Sequence, residues 1–220
     1  MNVVNLVVAV DGTSGSGKSS TCRAVAHRLG LRYLDTGAQY RAMTWWMLHH
    51  DVDVHDATAV AAHAQAPTVV SGTDPQAPTI SVDATDVSVQ IRSDEVNAAV
   101  SPVSAVPEIR TRLVALQQEI IGAGGIVVEG RDIGSVVWPA AEVKVYLTAD
   151  PAARAARRAL ENGGADLSAT QESLLARDKI DAGRTVAPLV RVDGAVEIDS
   201  THLSLDQVVE LVIGLASEVR

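Results

Sequence analysis

The 220-residue sequence has one cysteine, no phenylalanine and only three lysines. Its single cysteine, Cys22, excludes an internal disulfide framework and a zinc site built from several cysteines. No uncharged apolar run is long enough to cross a membrane. The opening MNVVNLVVAVDG also lacks the basic start and the cleavage site of a signal peptide. We therefore expect a soluble cytoplasmic protein.

The balance of charge is acidic, but the basic residues are distinctive. A formal net charge of −9 disfavours non-specific binding to nucleic acid or to an anionic membrane surface. Of the 18 basic residues, 15 are arginine, and many of these fall within residues 154–191. The planar guanidinium group suits bidentate contact with phosphate. This segment therefore predicts a small anionic ligand rather than a polyanion.

Short apolar runs alternate with helical patterns along the chain, whose length favours one compact domain. The apolar runs are typical of strands buried on both faces, and they lie at 6–10, 32–34, 126–129, 143–147 and 196–198. Helical patterns lie at about 18–29, 38–50, 106–121, 151–161, 170–180 and 205–219. This alternation predicts an α/β fold with a doubly wound parallel sheet.

Two segments interrupt the alternation. From about residue 66 to 92, the pieces PTVV, PTISV and DVSVQI are separated by turn sequences, which predicts a small antiparallel sheet inserted into the core. From about residue 150 to 186, arginine-rich helices are joined by Asn162-Gly163-Gly164. Such helices, hinged at glycine, predict a lid that closes over a ligand.

One motif carries a specific chemical prediction. Residues 12–19, GTSGSGKS, match the P-loop pattern G-x-x-x-x-G-K-[ST], and they stand between a predicted strand and a predicted helix. The glycines let successive backbone N–H groups turn toward a phosphate at the helix N-terminus. The sequence therefore predicts a nucleoside triphosphate site formed by Gly12, Thr13, Ser14, Gly15, Ser16, Gly17, Lys18, Ser19 and Ser20. Lys18 would reach the β- and γ-phosphates, and the hydroxyl of Ser19, or alternatively of Ser20, would bind Mg²⁺.

Three functions are compatible with this site. The GTPase switch motifs DxxG and NKxD are absent, which counts against a non-enzymatic regulatory module. Further arginines (Arg41, Arg92, Arg110 and Arg131) instead suggest a kinase that stabilises a transferring phosphoryl group by charge. The acceptor of that kinase would be a nucleoside monophosphate or a small hydroxyl metabolite. The hydroxyl acceptor would need a general base, whereas a phosphate acceptor is already ionised, so the arginines favour the phosphate.

Four motifs together resemble those of the bacterial cytidylate kinases. They are the P-loop, residues 35–41 (DTGAQYR), residues 130–134 (GRDIG), and Arg177-Asp178 with Asp181 and Arg184. The resemblance covers essentially the whole chain. It implies a P-loop NTPase core with a five-stranded parallel sheet flanked by helices, a monophosphate-binding region with the antiparallel insert, and a helical lid. The implied divisions are core at 1–36, 105–149 and 187–220, monophosphate-binding region at 37–104, and lid at 150–186.

The resemblance also implies an activity: transfer of the ATP γ-phosphoryl group to CMP or dCMP, in pyrimidine nucleotide metabolism. Mg²⁺ would be bound with ATP, and the protein would act as a monomer. The implied CMP-binding residues are Thr36, Tyr40, Arg41, Ser101, Arg110, Arg131, Asp132, Arg177, Asp181 and Arg184. Ser101, Arg110 and Asp132 would face the cytosine. The implied catalytic residues are Lys18, Arg41, Arg131 and Arg184, and those closing on ATP from the lid are Arg154, Arg157 and Arg158.

The sequence departs from that family pattern at a few positions. Thr36 stands where serine is common, which keeps the hydroxyl, and Gln39 replaces an apolar residue. Ile180 and Ala182 stand where some relatives carry further arginines, which bears on the ligand roles of Arg177 and Arg184.

Overall fold

The computed structural model describes residues 5–161, 164, 166–183 and 188–219. Its strands are β1 (Val7–Gly12), β2 (Arg32–Asp35), β3 (Val69–Ser71), β4 (Ile80–Val82), β5 (Thr85–Asp86), β6 (Ile126–Gly130), β7 (Val143–Thr148) and β8 (Val196–Asp199). Five of them form one sheet in the order β2-β6-β1-β7-β8, with every neighbouring pair parallel. The predicted α/β fold with a five-stranded parallel sheet is confirmed.

Helices flank this sheet and connect its strands. They are α1 (Lys18–Leu29), α2 (Thr36–His49), α3 (Ala57–Ala62), α4 (Asp94–Ala105), α5 (Pro107–Ile121), α6 (Pro151–Glu161), α7 (Leu167–Ala182) and α8 (Leu205–Glu218). Within the described ranges, no helix has the length and apolar character needed to span a membrane.

Side chains of β1 alternate between the two faces of the sheet, and each face has its own apolar cluster. Val8 and Val10 belong to an apolar cluster with buried residues of α1 and α8. Val7 and Ala9 belong to a second cluster on the opposite face, closed by α5 and by a π-helical turn at Ile133–Val137. Because successive strand residues point to opposite faces, the next residue of the odd-numbered set, Asp11, falls on the face of the π-helical turn.

The segment between β2 and β6 packs around a separate apolar cluster of its own. Residues of α2 such as Met43 and Met47 pack there with Ile80 of β4, Val103 of α4 and Leu113 of α5. The strands β3, β4 and β5 form the predicted small antiparallel sheet, whose order is β3-β4-β5.

The third predicted strand of this insert is shorter than its sequence pattern indicates. Only the first residue of the segment DVSVQI lies in β5, which ends at Asp86, although the Val87 amide still donates to the Ile80 carbonyl oxygen (3.0 Å). The side chain of Asp86 accepts a hydrogen bond from the Ser88 amide (2.8 Å), an Asx turn that redirects the backbone. Val87 and Ile91 are both buried, at the i, i+4 spacing of a helix, and a short 3₁₀ turn follows at Gln90–Arg92.

Besides this 3₁₀ turn, three elements within the described ranges lie outside the predicted set: α3, α4 and the π-helical turn. Helix α4 contains Pro102, which ordinarily disfavours a helix interior. Its N-terminus is capped by Ser93, and Val96, Val100 and Val103 are buried. This packing outweighs the proline.

Candidate active site

The candidate functional residues lie where the parallel strands end. β1 ends at Gly12, β2 at Asp35 and β6 at Gly130, and parallel pairing brings these ends to one edge of the sheet. In open α/β sheets this carboxyl edge is where ligands bind.

The P-loop runs from the end of β1 into α1, and its glycines are required by close packing and by backbone conformation. Gly12 has φ +147°, and a Cβ atom there would lie 2.0 Å from the Leu147 carbonyl oxygen. Gly17, at the N-cap of α1, has φ +91°, in the left-handed region that favours glycine. The loop can therefore turn sharply against β7.

Lys18 is buried within this loop. Its Nζ donates to the carbonyl oxygens of Gly12 (2.9 Å) and Thr13 (2.6 Å). Burial lowers the pKa of the Lys18 amine, and the nearby charge of Arg131 lowers it further, whereas Glu129 opposes this effect. An anion at this position would stabilise the charged amine, because opposite charges favour ionisation.

Glu129, at the end of β6, connects the P-loop to β2. One carboxylate oxygen accepts a hydrogen bond from the Ser19 hydroxyl (3.0 Å), and the other accepts one from the Tyr33 hydroxyl. Burial raises the pKa of Glu129, and the charge of Asp35 raises it further. Ser19 is exposed, and its hydroxyl lies beside a carboxylate. Such hard oxygen donors fit Mg²⁺, and of the two expected serines this arrangement favours Ser19 over Ser20.

Arginines surround the cavity in front of the P-loop. Those that line it with residues 14–19 are Arg41, Arg92, Arg131, Arg157, Arg158 and Arg177. Burial lowers the pKa of Arg41 to about 9, and the charges of Arg177, Arg158 and Arg92 add to this, although Asp35 opposes them. Like charges brought so close together repel one another unless an anion intervenes. The cavity is thus electrostatically suited to phosphate groups.

A second, smaller pocket adjoins this cavity. Asp35, Gly37, Glu129, Arg131 and Arg177 line both spaces. The smaller pocket is also lined by Thr36, Tyr40, Ser104, Arg110, Asp132 and Asp181.

A buried ion pair stands in this smaller pocket. Arg110, on α5, pairs with the carboxylate of Asp132, and both side chains are almost fully buried. The Arg110 guanidinium also lies over the Tyr40 ring, 5.5 Å from its centroid, and donates to the Ser104 carbonyl oxygen (3.3 Å). These contacts fix the direction of a donor group and an acceptor group side by side.

Arg131 has a different carboxylate partner. Its Nε donates to Oδ2 of Asp181 (2.9 Å), a buried residue of α7. The adjacent residues Arg131 and Asp132 therefore point toward different elements, the first toward the expected lid and the second toward α5.

The helices of the expected lid contact the P-loop directly. Arg154 of α6 forms an ion pair with Asp178 of α7, and it also donates to the Ser14 carbonyl oxygen (2.9 Å). Arg157 donates to the Ser200 hydroxyl (2.9 Å), which in turn donates to the Ser16 carbonyl oxygen (3.0 Å).

Sequence comparison places these features within a known family. The sequence model of the family described as Cytidylate kinase matches residues 8–218. The chain belongs to the cytidylate kinase family. It is 58% identical over 218 residues to a cytidylate kinase of Streptomyces griseus, covering 98% of this chain and 94% of that one. It is 56% identical over 217 residues to a cytidylate kinase of Streptomyces avermitilis, with the same coverage of both chains.

A solved structure is similar in fold. The gluconokinase from Sinorhizobium meliloti 1021 superposes with a TM-score of 0.52 at 15% identity, covering 98% of this chain and 94% of that one. At this identity the likeness concerns the fold alone. Family and fold together support a nucleoside monophosphate kinase.

Most of the residues that the cytidylate kinase resemblance singles out lie around the two pockets. Thr36 is the first residue of α2, and its hydroxyl donates to the Glu129 carbonyl oxygen (2.7 Å). Ser101 is buried on α4 and lines a neighbouring cleft between α4 and α7, not the pocket of Arg110 and Asp132. Arg184 lies outside the described residues, as do Asn162 and Gly163 of the expected hinge.

The structure adds residues that the sequence reasoning did not assign to the site. Glu129 and Tyr33 support Ser19, and Asn97 accepts a hydrogen bond from Arg41 (2.6 Å). The sequence feature that could have identified Glu129 is its position as a charged residue near the end of an apolar strand. Nothing local distinguished Asn97, because its partner is 56 residues away in the chain.

Gln39 also has a partner set that the sequence does not reveal. It is fully buried, accepts from Gln117 Nε2 (3.0 Å) and donates to the Ser71 hydroxyl (3.0 Å). This polar connection joins α2, α5 and β3, and it explains how an amide replaces an apolar residue at this position of the family pattern.

Proposed function

We propose that this protein transfers the γ-phosphoryl group of ATP to CMP or dCMP, giving ADP and CDP or dCDP. The observation that supports this most directly is the buried Arg110–Asp132 pair, in a pocket that shares residues with the arginine-lined P-loop cavity. One space suits a base, the other suits phosphates, and the two share five lining residues.

The pair has the hydrogen-bonding character that cytosine requires. Cytosine offers an exocyclic amino donor, which a carboxylate accepts, and N3 and O2 acceptors, to which a guanidinium donates. Uracil would instead place a carbonyl oxygen against Asp132. Because both side chains are buried, a mismatched base would leave polar groups unpaired.

The phosphate of CMP is already ionised, so its attack on the γ-phosphoryl group needs no general base. The positive charge of Arg41, Arg131 and Arg177, which line the P-loop cavity, would offset the repulsion between donor and acceptor phosphates. This arginine set favours a phosphate acceptor over the hydroxyl acceptor of a metabolite kinase.

On the donor side, the P-loop amides and Lys18 would hold the β- and γ-phosphates, and Ser19, supported by Glu129, would provide a metal ligand. Mg²⁺, when bound with ATP, would neutralise charge on the β- and γ-phosphates. Arg157 and Arg158 line the same cavity from α6, where they would contact ATP and exclude water.

An acceptor panel tests the proposal. Purified protein is incubated with ATP and Mg²⁺, with CMP, dCMP, UMP, AMP or shikimate as the acceptor, and ADP and the phosphorylated product are quantified. We expect rapid formation of CDP and dCDP and much slower formation of other products. A preparation of the Lys18→Ala variant, purified in parallel, controls for contaminating kinases. Preferred phosphorylation of shikimate, or no transfer to any acceptor, would contradict the proposal.

A further inference from the structure

Asp11 is the last residue of β1 before the P-loop glycine Gly12, and it has no assigned part in the site described above. Its side chain is buried at 5% exposure. It lies on the sheet face that is covered by the π-helical turn, and its strand neighbours are Gly130 of β6 and Tyr146 of β7.

Both oxygens of Asp11 are used by that turn. Oδ1 accepts a hydrogen bond from the Ile133 amide and Oδ2 accepts one from the Gly134 amide, each at 2.8 Å. The turn's own hydrogen bonds begin later, with the amides of Val136 and Val137 bonded to the Asp132 carbonyl oxygen. The first amides of a helical turn have no hydrogen-bond acceptor within the turn. The Asp11 carboxylate, on β1, is the acceptor for two of them.

The two amides held by Asp11 come immediately after two residues that line the smaller pocket. Arg131 and Asp132 directly precede Ile133, so the direction of their side chains depends on where the following amides are fixed. A single carboxylate that accepts two adjacent amides fixes both the position and the rotation of the peptide segment. Gly134 lies close to this carboxylate, since a Cβ atom there would lie 3.4 Å from Oδ2.

We propose that Asp11 is a positioning residue for the acceptor: by holding the amides of Ile133 and Gly134, it sets Arg131 and Asp132 relative to the P-loop. Because Asp11 directly precedes Gly12, the segment that binds the donor phosphates and the segment that reads the acceptor base are aligned through one side chain. This inference rests on the proposed function, since it assigns the role of Asp132 to base recognition.

The Asp11→Asn variant tests this role. Asparagine has nearly the same shape, but it offers one acceptor oxygen, and its NH₂ group would face the second backbone amide without accepting from it. The matched control is Glu142→Gln. The Glu142 carboxylate accepts a hydrogen bond from the Val7 amide (2.9 Å) at the opposite end of the same strand.

Steady-state kcat and KM are measured for CMP, UMP and ATP with the wild-type protein and both variants. For Asp11→Asn we expect the KM for CMP to rise about 10- to 100-fold, as a displaced positioning group produces. The preference for CMP over UMP should fall in parallel, while the KM for ATP should change much less. Glu142→Gln should keep the wild-type values.

Two results would overturn the inference. One is a CMP:UMP preference and a KM for CMP that are unchanged in Asp11→Asn. The other is an equal rise in the KM values for CMP and ATP, which would indicate a general structural role. If Asp11→Asn does not fold, as judged by circular dichroism, Asp11→Ser, which retains one acceptor without the NH₂ group, is measured against the same criteria. Failure of the wild-type protein to phosphorylate CMP would instead contradict the proposed function itself.

Discussion

The backbone amide of Ser14 in the P-loop donates a hydrogen bond to the Asp178 carboxylate of α7, with 3.1 Å between N and Oδ1. The same carboxylate forms an ion pair with Arg154 of α6, whose side chain is only 4% exposed. Two helices of the expected lid are thus joined to the phosphate-binding loop through one acidic side chain. This contact is charged and largely buried, so its removal has a predictable cost.

Replacement of Asp178 by alanine should destabilise the protein. Breaking a buried ion pair leaves an uncompensated charge, here on Arg154, which typically costs about 3–5 kcal/mol. The matched control is Glu197→Ala, which removes an exposed ion pair with Arg191 and should cost at most about 1 kcal/mol. Urea unfolding followed by circular dichroism measures both variants. Equal losses in the two variants would show that the contact of Asp178 with the P-loop contributes nothing specific.

Lys18 should be required for turnover but not for folding. We expect Lys18→Ala to remain folded and to lose about 10²- to 10³-fold or more in kcat, because a charge that stabilises the transferring phosphoryl group is lost. Arg28→Ala is the control, since Arg28 lies on the same helix and forms an exposed ion pair with Glu210. Initial rates with ATP and CMP give the comparison, and near-normal turnover of Lys18→Ala would refute the P-loop assignment.

Glu129 should affect the dependence on metal. In Glu129→Gln, the neutral amide keeps the shape of the side chain but removes the negative charge beside Ser19. We expect the half-saturating Mg²⁺ concentration to rise about tenfold, as is typical when a group supporting a metal ligand is changed. Calorimetric ATP binding with Mg²⁺ and with EDTA provides a second readout: the gain in affinity from Mg²⁺ should shrink in the variant. If Mg²⁺ raises the ATP affinity of Glu129→Gln as much as that of the wild type, the proposal that Glu129 supports Ser19 as a metal ligand is contradicted.

Asp11 should make a pH-dependent contribution to stability. Burial raises its pKa from 3.8 to about 6 in the folded protein, with the charge of Asp132 acting in the same direction and the two amides and Lys18 opposing it. The folded state therefore holds this proton more tightly than the unfolded state. The contribution is fully present below the unfolded pKa and is lost as the pH rises through the folded value.

The free energy of unfolding of the wild type relative to Asp11→Asn should consequently increase as the pH falls. The full shift of roughly two pKa units is worth about 3 kcal/mol. Because pH 4.5 is still above the unfolded pKa, about 2 kcal/mol of this should appear between about pH 7.5 and about pH 4.5. Urea unfolding of both proteins at the two pH values measures this difference. A difference between the proteins that does not vary with pH would contradict the raised pKa.

Much of the fold follows from local sequence pattern. The predicted bounds of α1 and α6 agree with the structure, and the five core strands differ only at their ends. The P-loop and the buried apolar strands give strong local signals that packing reinforces. The pattern does not predict α4, because Pro102 disfavours a helix that buried side chains stabilise. It also fails for DVSVQI, where an Asx turn at Asp86 ends the strand.

The chemistry of the site is predicted less completely, because its supporting contacts join distant parts of the chain. Ser19 and Glu129 are 110 residues apart, and Asp11 and Ile133 are 122 apart. A sequence motif can indicate which residues contact a ligand. The carboxylates that support those residues come from other strands, and the order of the strands in the sheet determines which ones they are. The pairing of Asp132 with Arg110, and of Arg131 with Asp181, depends on the packing of α5 and α7 in the same way.

Base selection by Asp132 is the central claim, and the ratio of kcat/KM for CMP to that for UMP tests it most directly. The wild-type protein should prefer CMP by about tenfold to a few hundredfold, because uracil leaves buried polar groups unpaired. In Asp132→Ala the ratio should approach one, whereas the Glu210→Ala control, at an exposed ion pair, should retain it. An Asp132→Ala variant that loses activity toward both substrates in parallel, with its ratio unchanged, would contradict the account.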